Sequence, residues 1–139
     1  MRSLSHQEAT RLAEQTAAVA EAHIPYGSGL GAPASFTLAW LMAGAGVEDI
    51  RVASGSSGMG DHFWIETAEW RIDPTMRQFA HLKHRSLVEP VTEPGSFEAL
   101  KYHSVPASRE EAVREVSYGF RNAVETEAFV NEMTAAVSL

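Results

Sequence analysis

The sequence predicts an α+β domain in which a buried helix packs on a small antiparallel sheet. Two helical patterns come first, strand-like patterns with tight turns fill the middle, and a further helical pattern closes the chain. Helices and strands that are grouped in this way are typical of α+β proteins, because parallel sheets need strands and helices in alternation. The 139 residues are expected to form one domain, 1–139, that buries about two thirds of its unfolded surface.

Composition narrows the class of protein. The net charge is -7, which argues against a nucleic-acid partner, because phosphate binding needs a basic surface. No stretch approaches the ~20 apolar residues that span a bilayer, so no membrane partner is expected. The amino terminus has no apolar core of the signal-peptide kind, and a cytoplasmic location is therefore expected. The chain has no cysteine, which excludes disulfides.

The first helix is expected from Ser5 to about His23. Ser5 followed by Glu8 is a capping-box signal. Apolar or small residues then recur at helical spacing, namely Ala9, Leu12, Ala13, Thr16, Val19 and Ala20. A second helix is expected over 34–45, ending at Gly44 or Gly46. Because it is apolar nearly all round, we expect it to be the central buried helix.

Strand patterns follow. Residues 49–54 alternate as a strand does, and the run 55–60 is expected to be a flexible turn. Residues 62–73 read as a hairpin, because apolar residues alternate with polar ones on both sides of 67–69. With a loop at Thr67 and Ala68, the pairs would be Glu66 with Glu69, Ile65 with Trp70, Trp64 with Arg71, Phe63 with Ile72, and His62 with Asp73.

The remainder of the chain gives weaker patterns. Residues 80–108 read mostly as loop, with a short strand expected near 87–91. Ser108 and Glu111 repeat the capping-box signal. Helical spacing then continues to the end of the chain, with a break expected near Glu125 and Thr126.

The hairpin sets one histidine opposite one aspartate. Directly opposed Cβ atoms lie ~4.5–5.5 Å apart, so a hydrogen bond between His62 and Asp73 is within reach. A carboxylate that holds one ring nitrogen leaves the other nitrogen free as a base. The same pair can also be purely structural, and the pairing alone leaves both readings open.

This segment resembles part of a known superfamily. His62-Phe-Trp64-Ile-Glu66, Trp70-Arg-Ile-Asp73-Pro74-Thr75 and Gln78-Phe79 look like the His-x-Trp and Asp-Pro-Thr segment of the transglutaminase-like superfamily, which has a papain-like fold and a Cys-His-Asp triad. Residues 29–38 are similar to the start of that family's nucleophile helix. The resemblance implies that His62 is the base, that Asp73 orients it, and that Gly31 stands where the family has its cysteine.

The resemblance implies a cleft for a peptide or small amide substrate, and acyl transfer or amide hydrolysis in an active relative. Three explanations of Gly31 stay open. The chain is a non-catalytic pseudoenzyme that binds a peptide or a protein partner; or Gly31 is a substitution in a cysteine-containing parent; or Ser28 or Ser35 is a relocated nucleophile activated by His62. Ser35 is also a normal residue near a helix start.

Further site residues are expected around the second helix and the hairpin. Backbone N–H groups of 31–34, Ala32 included, would favour an anion or a developing oxyanion. Ser35 and Trp64 are expected to line the cleft. His81 and His84 have the spacing of helical metal ligands, but a solvated basic loop is the better interpretation, and neither a metal nor a cofactor is expected. His23 is interpreted as a cation at a helix end.

Overall fold

A computed structural model of the protein describes residues 2–23, 30–56, 61–79 and 86–139. In these ranges the fold is α+β, with four α-helices and a five-stranded antiparallel sheet. The helices are α1 (His6–His23), α2 (Gly31–Gly44), α3 (Arg109–Val116) and α4 (Ala123–Ala136). The strands are β1 (Arg51–Ser56), β2 (Asp61–Glu66), β3 (Trp70–Ile72), β4 (Val88–Pro90) and β5 (Lys101–His103).

The first helix agrees with its prediction. Ser5 Oγ accepts from the N–H of Glu8 at 3.1 Å, and the Glu8 carboxylate accepts from the N–H of Ser5 at 3.2 Å. This reciprocal pair is the capping box, which satisfies two backbone donors at the start of α1. None of the described helices is long and apolar enough to cross a membrane. The cytoplasmic location remains a prediction from the sequence.

The second helix is the centre of the core, as predicted. Leu38, Ala39 and Met42 are fully buried, and α2 packs against β1, β2 and the other three helices. It begins at Gly31, three residues earlier than expected, because Pro33 lies within the first turn, where proline costs no hydrogen bond. The earlier start brings Gly31 to the helix terminus.

The sheet has the order β4-β3-β2-β1-β5. The short strand near 87–91 is confirmed as β4, whereas β5 was missed in a segment read as loop. β1 begins and ends two residues later than predicted, so Gly55 belongs to the strand, and 57–60 lie outside the described residues.

The hairpin is confirmed, but its predicted pairing is wrong by two residues. Ile65 pairs with Ile72 and Glu66 with Arg71, so the loop consists of Ala68 and Glu69. Thr67 closes this loop, because its N–H donates to the carbonyl of Trp70 at 2.9 Å and its hydroxyl accepts from the N–H of Trp70 at 3.0 Å. A shift by two residues keeps every side chain on its predicted face. His62 and Asp73 therefore share a face without being directly opposed.

The carboxyl-terminal helical pattern is divided at a different place from the one predicted. α3 ends at Val116, a 3-10 turn covers Ser117–Gly119, and Asn122 caps α4 by accepting from the N–H of Glu125 at 2.9 Å. The predicted break near Glu125 and Thr126 is wrong, since both residues lie in the first turn of α4. Asparagine at the N-cap was the overlooked signal.

Candidate functional site

His62 and Asp73 form a buried pair. His62 Nε2 lies 2.6 Å from Asp73 Oδ2, and each residue is 2% exposed. Asp73 is fixed from two sides: its other carboxylate oxygen accepts from the N–H of Thr75 at 3.3 Å, and its own N–H donates to the carbonyl of Leu87 at 2.7 Å. A carboxylate only accepts, so it holds the ring proton on Nε2 and leaves Nδ1 as the free base nitrogen.

Gly31 lies beside that free nitrogen. A β-carbon built on Gly31 would be 3.4 Å from His62 Nδ1, 3.5 Å from the backbone nitrogen of Phe63 and 3.5 Å from Thr75 Oγ1. These are ordinary van der Waals distances, so a β-carbon fits there without moving its neighbours. The β-carbon position of Gly31, the His62 ring and the Asp73 carboxylate thus follow one another in space, in the order that the resemblance implies.

The start of α2 supplies fewer backbone donors than predicted. Pro33 has no N–H, and the N–H of Ala34 donates to the carbonyl of Leu30 at 3.0 Å. Within the described residues, the N–H groups of Gly31 and Ala32 make no hydrogen bond. No described residue accepts from these two donors, and they lie at the positive end of the helix dipole, where an anion or oxyanion is favoured.

The predicted alternative nucleophiles differ in their positions. Ser28 lies outside the described residues. Ser35 is fully buried, and its hydroxyl has no hydrogen-bond partner among the described residues, so it is not paired with His62. The hydroxyl nearest to the place beside Gly31 is that of Thr75, which is 7% exposed and likewise has no partner in the described part of the chain.

Aromatic rings surround the His62 ring. The ring centroids of Phe79, Phe97 and Trp64 lie 4.6, 4.8 and 5.7 Å from that of His62. Trp64 is 1% exposed, so it supports His62 and does not form the open cleft wall that the sequence suggested. Its indole N–H donates to Glu66 at 3.0 Å, which fixes the ring.

The other candidates lie apart from this site. His81 and His84 fall outside the described residues, and the residues that are described contain no cluster of three metal-ligating side chains. His23 Nε2 is 2.6 Å from a carboxylate oxygen of Glu132, which joins the end of α1 to α4. His23 thus has a structural contact between helices in addition to its position at a helix terminus.

Two contributors were not identified as site residues from the sequence. Thr75 was part of the quoted Asp-Pro-Thr string, but the string alone does not predict that its hydroxyl lies beside Gly31. Phe97 lies in the segment read as loop, and its only signal was an aromatic residue among turn-forming ones.

Comparison with known proteins adds no relative: no protein-family model matches the chain, and neither a curated protein nor a solved structure matches it significantly.

Proposed function

We propose that this chain is a transglutaminase-like domain of papain-like fold that binds peptide or amide groups and lacks the nucleophile for acyl transfer. The observation that carries the proposal is the 3.4 Å between His62 Nδ1 and the β-carbon position of Gly31. A triad needs a nucleophile on one ring nitrogen and a carboxylate on the other. Asp73 occupies the second of these positions, at 2.6 Å from Nε2.

The absence of a side chain on Gly31 argues for binding without catalysis. A thiol is the family's nucleophile, and this chain has no cysteine. The binding groups that remain are the N–H donors of Gly31 and Ala32 and the Nδ1 of His62. The two N–H donors suit a carbonyl oxygen or a carboxylate of a peptide, because hydrogen bonds and the helix dipole both favour negative charge there. The unprotonated Nδ1 suits a peptide N–H, from which it can accept a hydrogen bond.

The proposal is tested by restoring the nucleophile as Gly31→Cys and measuring labelling by a thiol-directed acylating probe. General-base assistance typically contributes ~10²–10⁴-fold, so we expect His62→Ala to slow labelling of the Gly31→Cys variant by about that factor. Ala32→Cys is the matched control. It places a thiol at the same helix terminus, with the same helix dipole, but one residue further along the helix than Gly31.

Because His62 is 2% exposed, labelling is also measured with Phe97→Ala added, which removes a ring packed on His62. The triad assignment would be refuted if Gly31→Cys and Ala32→Cys were labelled equally fast, or if His62→Ala did not change the labelling rate. The chain without a substitution is expected to show no turnover of amide substrates.

A hydroxyl nucleophile is the second candidate. The Thr75 hydroxyl, which like that of Ser35 has no partner among the described residues, lies 3.5 Å from the β-carbon position of Gly31, and this favours Thr75 over Ser35. If the unmodified chain hydrolyses an activated ester in a His62-dependent manner, Thr75→Val should abolish the reaction and Ser35→Ala should not. Thr75→Val keeps the volume and removes only the hydroxyl. If Ser35→Ala abolished the reaction instead, Ser35 would be the nucleophile.

A further inference from the structure

One segment without regular secondary structure covers the buried His62. Residues 94–99 connect the loop after β4 to β5, and within the described residues none of them makes a hydrogen bond. We name residues 94–99 the covering segment. Among the described residues, hydrogen bonds flank it at its two ends: an Arg71 guanidinium N–H donates to the carbonyl of Glu93 at 2.6 Å, and the N–H of Leu100 donates to the carbonyl of Ser54 at 2.8 Å.

Phe97 is the side chain through which the covering segment meets the site. Its ring centroid lies 4.8 Å from that of His62, 4.9 Å from that of Phe79 and 6.3 Å from that of Trp64. Phe79 and Trp64 are buried, whereas Phe97 is half-buried. These three neighbours of Phe97 form what we call the aromatic slot, and the Phe97 ring occupies it.

The backbone of the covering segment lies directly on the sheet. Gly55 pairs with His62 across β1 and β2, and a β-carbon on Gly55 would collide with the carbonyl oxygen of Glu98. Gly55 thus permits a close approach that any larger residue would prevent. The covering segment is thus held by packing: the Phe97 ring lies on His62, Gly95 lies against the Arg71 guanidinium, and the Glu98 carbonyl lies against Gly55. Local opening of such a segment costs less than unfolding the sheet beneath it.

We propose that the covering segment is a displaceable cover, and that the aromatic slot is a subsite for an aromatic side chain of a peptide ligand, which replaces Phe97 when the site opens. The inference rests on the proposed function, because it treats the place beside His62 as a ligand site. We infer an aromatic ligand from the residue that fills the slot now. The slot formed by His62, Phe79 and Trp64 holds the phenyl ring of Phe97 at distances typical of aromatic pairs.

The test measures how fast diethyl pyrocarbonate modifies His62, read by peptide mass spectrometry with the exposed His6 as internal reference. The reagent needs access to an unprotonated ring nitrogen and needs no thiol at position 31. In the unmodified chain His62 should react far more slowly than His6. Phe97→Ala should raise the His62 rate at least about tenfold, since it removes the ring that holds the cover down.

Gly55→Ala is an independent second variant: its added methyl group would collide with the carbonyl oxygen of Glu98 and lie 3.2 Å from a ring carbon of Trp64, so it pushes the covering segment off the sheet without changing the side chain of Phe97 or of His62. It should also raise the His62 rate. Two matched controls should not: Gly44→Ala adds a methyl group where nothing lies within 4 Å, and Phe120→Ala removes a half-buried ring that packs on His23 and Phe129.

The ligand class is tested in the Phe97→Ala variant. N-acetylphenylalaninamide should slow modification of His62 several-fold by refilling the slot, and N-acetylalaninamide should not. If either Phe97→Ala or Gly55→Ala fails to accelerate modification, the cover is refuted. If acceleration occurs but the two amides act alike, the aromatic subsite is refuted. Either failure leaves the labelling result for Gly31→Cys standing, so the two proposals fail separately.

Discussion

The indole nitrogen of Trp64 lies 3.0 Å from a carboxylate oxygen of Glu66, two residues further along the same strand. Residues i and i+2 of a strand share a face, and both of these side chains are buried, at 1% and 5% exposure. Glu66 also accepts from an Arg51 guanidinium N–H at 3.2 Å and from the hydroxyl of Tyr102 at 3.4 Å. Three donors thus offset the cost of burying this carboxylate.

Removing that carboxylate is expected to destabilise the protein. Glu66→Ala leaves the Trp64 N–H buried without an acceptor, and an unsatisfied buried donor costs about 1–3 kcal/mol. Glu66→Gln keeps an acceptor oxygen and should lose less of the free energy of unfolding. Urea unfolding followed by tryptophan fluorescence measures both. Equal stability of the two variants would show that the indole hydrogen bond contributes nothing.

The Asp73 carboxylate is expected to matter for stability as well as for orientation of His62. Asp73→Ala removes the acceptor of His62 Nε2 and of the Thr75 N–H, and we expect a loss of about 1–3 kcal/mol in the free energy of unfolding.

The matched control for this carboxylate is Asp61→Ala, on the exposed first residue of β2, which should change stability by less than about 0.5 kcal/mol. The loss in the free energy of unfolding of Asp73→Asn should lie between those of Asp73→Ala and Asp61→Ala, because Asn keeps the acceptor for the Thr75 N–H. A loss in Asp61→Ala as large as in Asp73→Ala would contradict the assignment of Asp73 as the buried partner.

His103 is expected to make stability depend on pH. Its Nε2 lies 2.9 Å from Ser54 Oγ. Burial lowers the pKa of His103 below 6.5, Lys101 lowers it further, and Glu115 and Asp61 oppose the shift. The unfolded chain therefore takes up a proton first as the pH falls. This contribution to stability is complete above the ordinary pKa, and it is lost as the pH falls through that value towards the lowered one.

We expect the free energy of unfolding to decrease on acidification from about pH 7 to about pH 5, and to decrease less in His103→Asn. Urea unfolding at a series of pH values measures the slope. His6→Asn, the same change at an exposed histidine, is the control for the substitution itself. An unchanged slope in His103→Asn would exclude His103 as the source.

Local signals in the sequence were sufficient for much of the fold. The capping box at Ser5, the apolar run that became α2, and the alternation around the hairpin each express a period or a cap that neighbouring residues fix among themselves. The short strand β5 was missed because three residues carry too little periodicity. The division between α3 and α4 was misplaced because the local cap signal of Asn122 was overlooked.

For the candidate site too, sequence determined some features and tertiary structure the others. Sequence alone determined that His62 and Asp73 share one face of a hairpin, because side chains alternate along strands and a slip of two residues leaves every side chain on its face. It also determined that the chain contains no thiol.

Only the tertiary structure decided which ring nitrogen of His62 faces Asp73, that the other faces Gly31, and that the ring of Phe97 packs against that of His62. Those facts depend on residues 31, 73 and 97 meeting in space, and contacts between distant parts of a chain are set by packing of the whole core, which no local pattern of residues encodes.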